Sequence, residues 1–175
     1  TDEAPLAYSV EYGNVYVAVL DYLPNTNDVQ AAADWLVEDA SKSNAMWKVL
    51  TLHQPPYFTN VGGGSTRAQM DILVNAIDEA GIDVVFSGHD HTYARSFPVT
   101  AGEKNENGTV YFICAATTPE KDYQVTTNHG IHQIATNEYN SVYLTINTTD
   151  TSFEVNVWNY DGENHNLFDS CKLTR

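Results

Sequence analysis

Apolar and polar positions divide the chain into two regimes. In the first, Tyr8 to Tyr12 and Asn14 to Leu20 read as short strands meeting at the turn pair Gly13-Asn14. The second of these is apolar enough to be a buried strand. After a polar loop over Pro24 to Asn27, a helical stretch opens at Asp28, placed to act as N-cap, and runs to about Lys42. Ala32, Trp35, Leu36 and Asp39 keep helical spacing along it. Trp47 to Leu52 is the next strand, and it stops at His53-Gln-Pro-Pro because Pro55 and Pro56 cannot continue a central ladder. Beyond the Gly62–Gly64 loop, Thr66 to Ala80 reads as a helix with Met70, Leu73, Val74 and Ile77 on one face and Gly81 at its C-terminal cap. Ile82 to Ser87 is a nearly all-apolar strand broken by Gly88. Helices alternating with buried strands are the α/β signature, with parallel strands.

Downstream the chain turns to β. Tyr93 to Val99, Thr109 to Ala115, Ser141 to Asn147 and Ser152 to Trp158 read as strands, and Ala101 to Gly108 as a polar hairpin connection. Pro119 to Asn140 reads as one long mixed loop, a length usually functional or disordered. Asp161-Gly162 marks a last turn before a short tail. There is no internal repeat, so residues 1–175 are read as one domain-sized unit of α/β class with mixed sheets.

Charge changes the picture of possible partners. The 8 Lys and Arg against 23 Asp and Glu leave a formal net charge of −15, which argues against nucleic acid and against an anionic membrane surface. The same field repels a phosphate ester unless something locally positive, such as a metal ion, offsets it. No apolar run approaches the ~18–20 residues of a membrane span. Cys114 and Cys171 permit one disulfide and require none. Asn107-Gly-Thr and Asn147-Thr-Thr match the glycosylation acceptor pattern. With few Lys and many Asn, Thr and Tyr, they point to an extracytoplasmic or secreted protein.

Six histidines differ by position. His53 directly follows a buried strand, and His89 and His91 directly follow the next, in Ser-Gly-His-Asp-His. In an open α/β sheet, ligand sites lie off the carboxyl ends of the strands. Three imidazoles are thus delivered to one edge, and imidazole nitrogen is a common ligand for zinc and iron. Gly88 is placed to supply backbone freedom for a sharp turn, and Asp90 to orient a neighbouring histidine or simply to turn the chain. His129 and His132, in the long loop, and His165, in the tail, read as surface residues. Tyr93, Arg95 and Phe97 alternate as strand residues, with Arg95 paired to a carboxylate. Gly62-Gly-Gly lacks the Gly-Lys-Ser/Thr of a phosphate loop.

Val49-Leu-Thr-Leu-His53 followed by Ser87-Gly-His-Asp-His91 resembles the last two metal-binding blocks of the calcineurin-like metallophosphoesterases. The finer resemblance, through Gly88 to Val99, Tyr8 to Val15, Gly108 to Phe112 and Tyr139 to Tyr143, is to their purple-acid-phosphatase-like branch. It implies the C-terminal half of a four-layer α/β/β/α sandwich with mixed sheets. It also implies a binuclear centre of two divalent or trivalent ions (Fe, Zn or Mn). The residues matching His53 and His89 would bind one ion and that matching His91 the other. The implied reaction is hydrolysis of phosphate monoesters or diesters by a metal-bound hydroxide.

The family's upstream Asp and Asn-His blocks, its leaving-group acid and its tyrosine ligand have no counterpart in residues 1–175. No catalytic acid is assigned, and Asn60-Val-Gly-Gly-Gly stands where substrate-contacting histidines often occur. The expected partner is therefore the upstream half of the same domain, and the chain alone is expected to be inactive with one sheet face or edge uncovered. Two further readings stay open. One is a non-enzymatic extracellular binding module with relic histidines. The other is a single zinc ion held by His53, His89 and His91, which requires the three to converge.

Overall fold

A computed structural model of the chain describes residues 7–21, 23, 25–59, 67–115, 125, 130–138 and 141–175, with residues 67 and 68 described by backbone alone. The first half runs β1 (Ala7–Tyr12), β2 (Val15–Leu20), α1 (Thr26–Ala40), β3 (Trp47–Thr51), α2 (Arg67–Ala80) and β4 (Val84–Ser87). The second runs β5 (Tyr93–Ser96), β6 (Val99–Thr100), β7 (Glu103–Lys104), β8 (Val110–Cys114), β9 (His132–Thr136), β10 (Val142–Thr148), β11 (Ser152–Tyr160) and β12 (His165–Thr174).

Seven strands form one mixed sheet in the order β1-β2-β3-β4-β8-β5-β9, and β10, β11 and β12 form a second sheet. Strands β2, β3, β4 and β8 are parallel to one another, with α1 and α2 as the first two crossovers, while β1 and β5 flank them antiparallel. On one face Leu36 and Ile77 of the helices meet Leu50 and Val85. On the other, Trp47, Val84 and Phe112 meet Phe153, Val155 and Val157 of the small sheet. Each fully buried Leu, Ile, Val or Phe contributes roughly 1.5–3 kcal/mol. The central strands gain this on both faces, which is why they read as apolar runs. Among the described residues the layers are helix, sheet, sheet: three of the four that the resemblance implies.

Helix ends explain two local outcomes. The N-cap of α1 is Asn25, not Asp28. The Asn25 side-chain oxygen accepts from the N–H groups of Asn27 and Asp28, and its amide donates to the Asp28 carboxylate at 2.6 Å. Asp28 instead sits in the first turn, where its charge suits the helix dipole. At the far end of α2, Gly81 adopts φ +67°, and the Gly81 and Ile82 N–H groups return to the Asp78 and Ile77 carbonyls, the glycine-capped ending that the sequence predicts. Lys48 Nζ donates to the Ala40 carbonyl at 2.9 Å and the Ala80 carbonyl at 3.3 Å, placing one cation at the C-termini of both helices.

Three expectations are corrected. The strand expected from Tyr93 to Val99 is split, because Pro98 has no N–H to give a ladder; β6 then pairs with β7 inside the expected hairpin connection. The long loop contains β9, which pairs with β5 as an edge strand. The tail is β12, the longest strand, paired along its length with β11. Its apolar contacts with the core come from Phe168, Cys171 and Leu173 among polar neighbours, so its alternation is weak. His165 lies in this strand, exposed, with Nδ1 3.0 Å from the Tyr143 hydroxyl and its ring stacked on Tyr160. Cys114 and Cys171 are free thiols.

On β1, an edge strand, Tyr8, Val10 and Tyr12 are 54%, 53% and 88% exposed. They pair across the ladder with Val19, Val17 and Val15, so they lie on the face that carries the small sheet, yet beyond its cover. No helix among the described residues is long and apolar enough to cross a membrane.

Candidate metal centre

The parallel pairing of β3 with β4 carries their carboxyl ends to the same edge. Leu52 N–H donates to the Phe86 carbonyl, and Gly88 N–H donates to the His53 carbonyl at 3.0 Å, so the two outgoing loops leave side by side. His89 Nδ1 then lies 3.2 Å from His53 Nε2, with the rings edge to face at 5.1 Å between centroids. Both side chains are at the surface beside an open depression of about 360 Å³ lined in part by Val19, Thr51, Phe86 and Cys114.

Two imidazole nitrogens bound to one ion at about 2.0–2.1 Å stand about 2.9–3.4 Å apart in tetrahedral or octahedral geometry. The observed spacing fits that requirement, and two neutral imidazoles are suitable donors for Zn²⁺ or iron. Without a cation the same contact is an N–H···N hydrogen bond whose donor depends on the tautomers. His91 is exposed and does not join this pair. Among the described residues no group of three His, Cys, Asp or Glu side chains is gathered so as to hold a metal ion.

The backbone of this loop departs from expectation in an informative way. Gly88 is not in the left-handed region; His89 (φ 67°) and His91 (φ 51°) are. A side chain on Gly88 would meet His53 Nδ1 at an ordinary 3.8 Å. Left-handed backbone at a non-glycine residue costs on the order of 1–3 kcal/mol and persists only where the surroundings hold it. Here Asp90, buried between the two histidines, accepts at Oδ2 from the Thr59 N–H (2.5 Å) and the Thr59 hydroxyl (3.1 Å). Thr59 Oγ1 is also 2.5 Å from Thr92 Oγ1. These bonds tie Asp90 to Thr59 rather than to a histidine. No local signal in the sequence marks Thr59, 31 residues earlier, as its partner.

Arg95 is consumed elsewhere. It makes a bidentate pair with Asp169 on β12 (Nε–Oδ2 2.7 Å, Nη2–Oδ1 2.8 Å) and donates to Gln133 at 2.6 Å, while the Tyr93 hydroxyl donates to Asp169 at 2.6 Å. The carboxylate pairing expected of Arg95 is present, and its partner belongs to the strand that the sequence hides. Burial pushes the Asp169 carboxyl up, but hydrogen bonds from Arg95 and Tyr93 outweigh it and hold it below the ordinary range. Burial, together with the Asp169 carboxylate, raises Tyr93. Burial pushes the Cys114 thiol up to about 12. His132 is half-buried in β9. His129 and the Asn60–Gly64 loop lie outside the described residues.

Comparisons with known proteins bear on this arrangement. A family model described as calcineurin-like phosphoesterase matches residues 5–93, a span that holds both histidine blocks. Purple acid phosphatase 18 of Arabidopsis thaliana is 30% identical over 113 residues, covering 61% of this chain and 25% of that protein. Purple acid phosphatase 21 of the same plant is 29% identical over 110 residues, covering 61% and 25%. The chain spans about a quarter of the length of these curated relatives. Among solved structures, purple acid phosphatase PPD1 from yellow lupin (Lupinus luteus) seeds matches 97% of this chain and 32% of its own, with a TM-score of 0.78 and 14% identity. GAP50, described as the anchor in the inner membrane complex of Plasmodium, matches 96% and 53%, with a TM-score of 0.68 and 13% identity. At these identities the structural matches speak for the fold.

Proposed function

The chain belongs to the calcineurin-like phosphoesterase family, and from that premise we propose that it is the C-terminal part of a metal-dependent hydrolase of phosphate monoesters or diesters. The observation that carries the reading is the His53–His89 pair, two imidazole nitrogens 3.2 Å apart on the motif where the family holds metal. In this reading His53 and His89 hold one ion and His91 a second, the pair being iron, zinc or manganese. Residues upstream of Thr1 complete the shell with carboxylate and Asn-His donors and supply the leaving-group acid. Ions held by these imidazoles would supply positive charge against the substrate phosphate and would lower the pKa of a bound water. The chain's own part is to present the imidazoles at one strand edge.

The uncovered Tyr8, Val10 and Tyr12 support an upstream partner, because exposed apolar edge strands ordinarily find cover. The exposed Asn107 and Asn147 acceptor sites support a secreted protein. The test is hydrolysis of p-nitrophenyl phosphate with added Zn²⁺, Mn²⁺ or Fe³⁺. We expect negligible turnover from residues 1–175 alone. The polypeptide extended upstream should turn over, with a loss of at least 100-fold in His53→Ala or His89→Ala. An inactive extended polypeptide, or full activity in residues 1–175, overturns the reading.

A non-enzymatic binding module is the second reading, and the exposed Tyr8, Val10 and Tyr12 on the edge strand β1 are the observation that favours it. It predicts a different domain upstream, with no Asp or Asn-His blocks, and no metal by elemental analysis of the extended polypeptide.

A further inference from the structure

The two loops that carry the candidate ligands are fastened to each other twice. At their start, Gly88 N–H donates to the His53 carbonyl. At their far end, the Asp90 carboxylate takes the Thr59 N–H and hydroxyl, and the Thr92 hydroxyl closes the cluster on Thr59. Asp90, Thr59 and Thr92 are 2%, 0% and 0% exposed, so this second fastening is shielded from competing water. Between the two fastenings lies the short stretch in which His89 and His91 hold left-handed backbone on either side of Asp90.

We infer that Asp90 is a positioning residue for the metal centre: through Thr59 it holds His89 in the backbone conformation that faces its ring to His53 and sends His91 elsewhere. The inference rests on the proposed metal-binding reading for its purpose, but the alignment itself exists without metal.

Three consequences follow from the geometry. Both bonds from Thr59 use Oδ2, so an amide oxygen in its place can still accept them, and the negative charge is not what the device needs. Alanine at position 90 leaves the Thr59 N–H and hydroxyl without that acceptor in a buried setting, and the loop that carries His89 and His91 then keeps only its backbone bonds, such as Gly88 N–H to the His53 carbonyl, against a return to ordinary φ. Residues that orient ligands from behind typically change metal affinity by 10–100-fold when lost.

The experiment uses the 175-residue chain with ¹⁵N-histidine labelling, followed by two-bond imidazole NMR spectra without metal and during Zn²⁺ titration. Thermal melts are recorded alongside. In the metal-free wild type, His53 and His89 should show fixed, complementary tautomers. Asp90→Ala should lose that signature and weaken Zn²⁺ at these two rings at least 10-fold. Asp90→Asn should keep both within about threefold, and Thr59→Val, which keeps the N–H, should fall between. An Asp90→Asn that behaves like Asp90→Ala overturns the inference, because charge would then be the operative property. An Asp90→Ala with unchanged tautomers and unchanged Zn²⁺ affinity overturns it as well. If Asp90→Ala unfolds, the comparison of Asp90→Asn with Thr59→Val decides in the same terms. A wild type that shows the tautomer signature, with Asp90→Ala losing it, but no Zn²⁺ at either ring supports the positioning role while refuting the metal reading.

Discussion

Replacing Asp169 by alanine tests whether the small sheet anchors the strand that leaves the histidine loop. Arg95 and Asp169 side chains are 9% and 11% exposed, and their bidentate contact joins β5 to β12. Removing one partner leaves a guanidinium charge in a nearly dry setting. Breaking a buried pair in this way costs about 3–5 kcal/mol. The Tyr93 hydroxyl loses its acceptor too, which adds about 1 kcal/mol or more, without strict additivity. A total near 4 kcal/mol moves a urea midpoint by about 2 M at a slope of about 2 kcal/mol/M. It lowers the melting temperature by roughly 8–16 °C in a domain of this size. Urea unfolding followed by circular dichroism measures the first and calorimetry the second. The double variant Arg95→Met/Asp169→Leu removes both charges at similar volume and should recover to within about 1–2 kcal/mol of wild type. A loss below about 1 kcal/mol for Asp169→Ala, or a double variant as unstable as the single, refutes the argument that an unpaired buried charge is the cost.

The same carboxylate sets a pH dependence. Asp169 is held below the unfolded carboxylate value of about 3.9, so its contribution is complete above that pH and is lost as pH falls through the folded value. The melting-temperature gap between wild type and Asp169→Asn should therefore narrow from pH 6 to pH 2; a constant gap contradicts the assignment. Cys114, with its thiol pushed up to about 12 by burial, should resist iodoacetamide at pH 8 in the native chain and react on unfolding. Rapid native modification at Cys114 would show that the thiol is neither buried nor raised.

Legibility in the sequence followed how local each signal was. The strands β2, β3 and β4 and both helices announce themselves, because covering both faces of a parallel strand demands a continuous apolar run. The Gly81 cap is legible for the same reason, since one left-handed glycine ends a helix whatever surrounds it. Strands β9 and β12 are not, because an edge strand buries little and gains its order from the partner it pairs with. Asn25 and Asp28 are equally good caps on paper, and only the hydrogen bonds separate them.

The site divides along the same line. The histidine spacing and the strand ends on which His53, His89 and His91 sit were written locally, and with them the family to which the chain belongs. The meeting of His53 with His89 came from the adjacency of β3 and β4. The left-handed backbone at the histidines, where the glycine was expected to carry it, depends on Thr59, contributed from a different loop. The fate of Arg95 depends on Asp169, 74 residues away. Periodicity and turn chemistry act over a few residues and can be read in order. A contact between distant residues is a property of packing, in which a buried charge or a strained backbone is stable only once its remote partner has arrived.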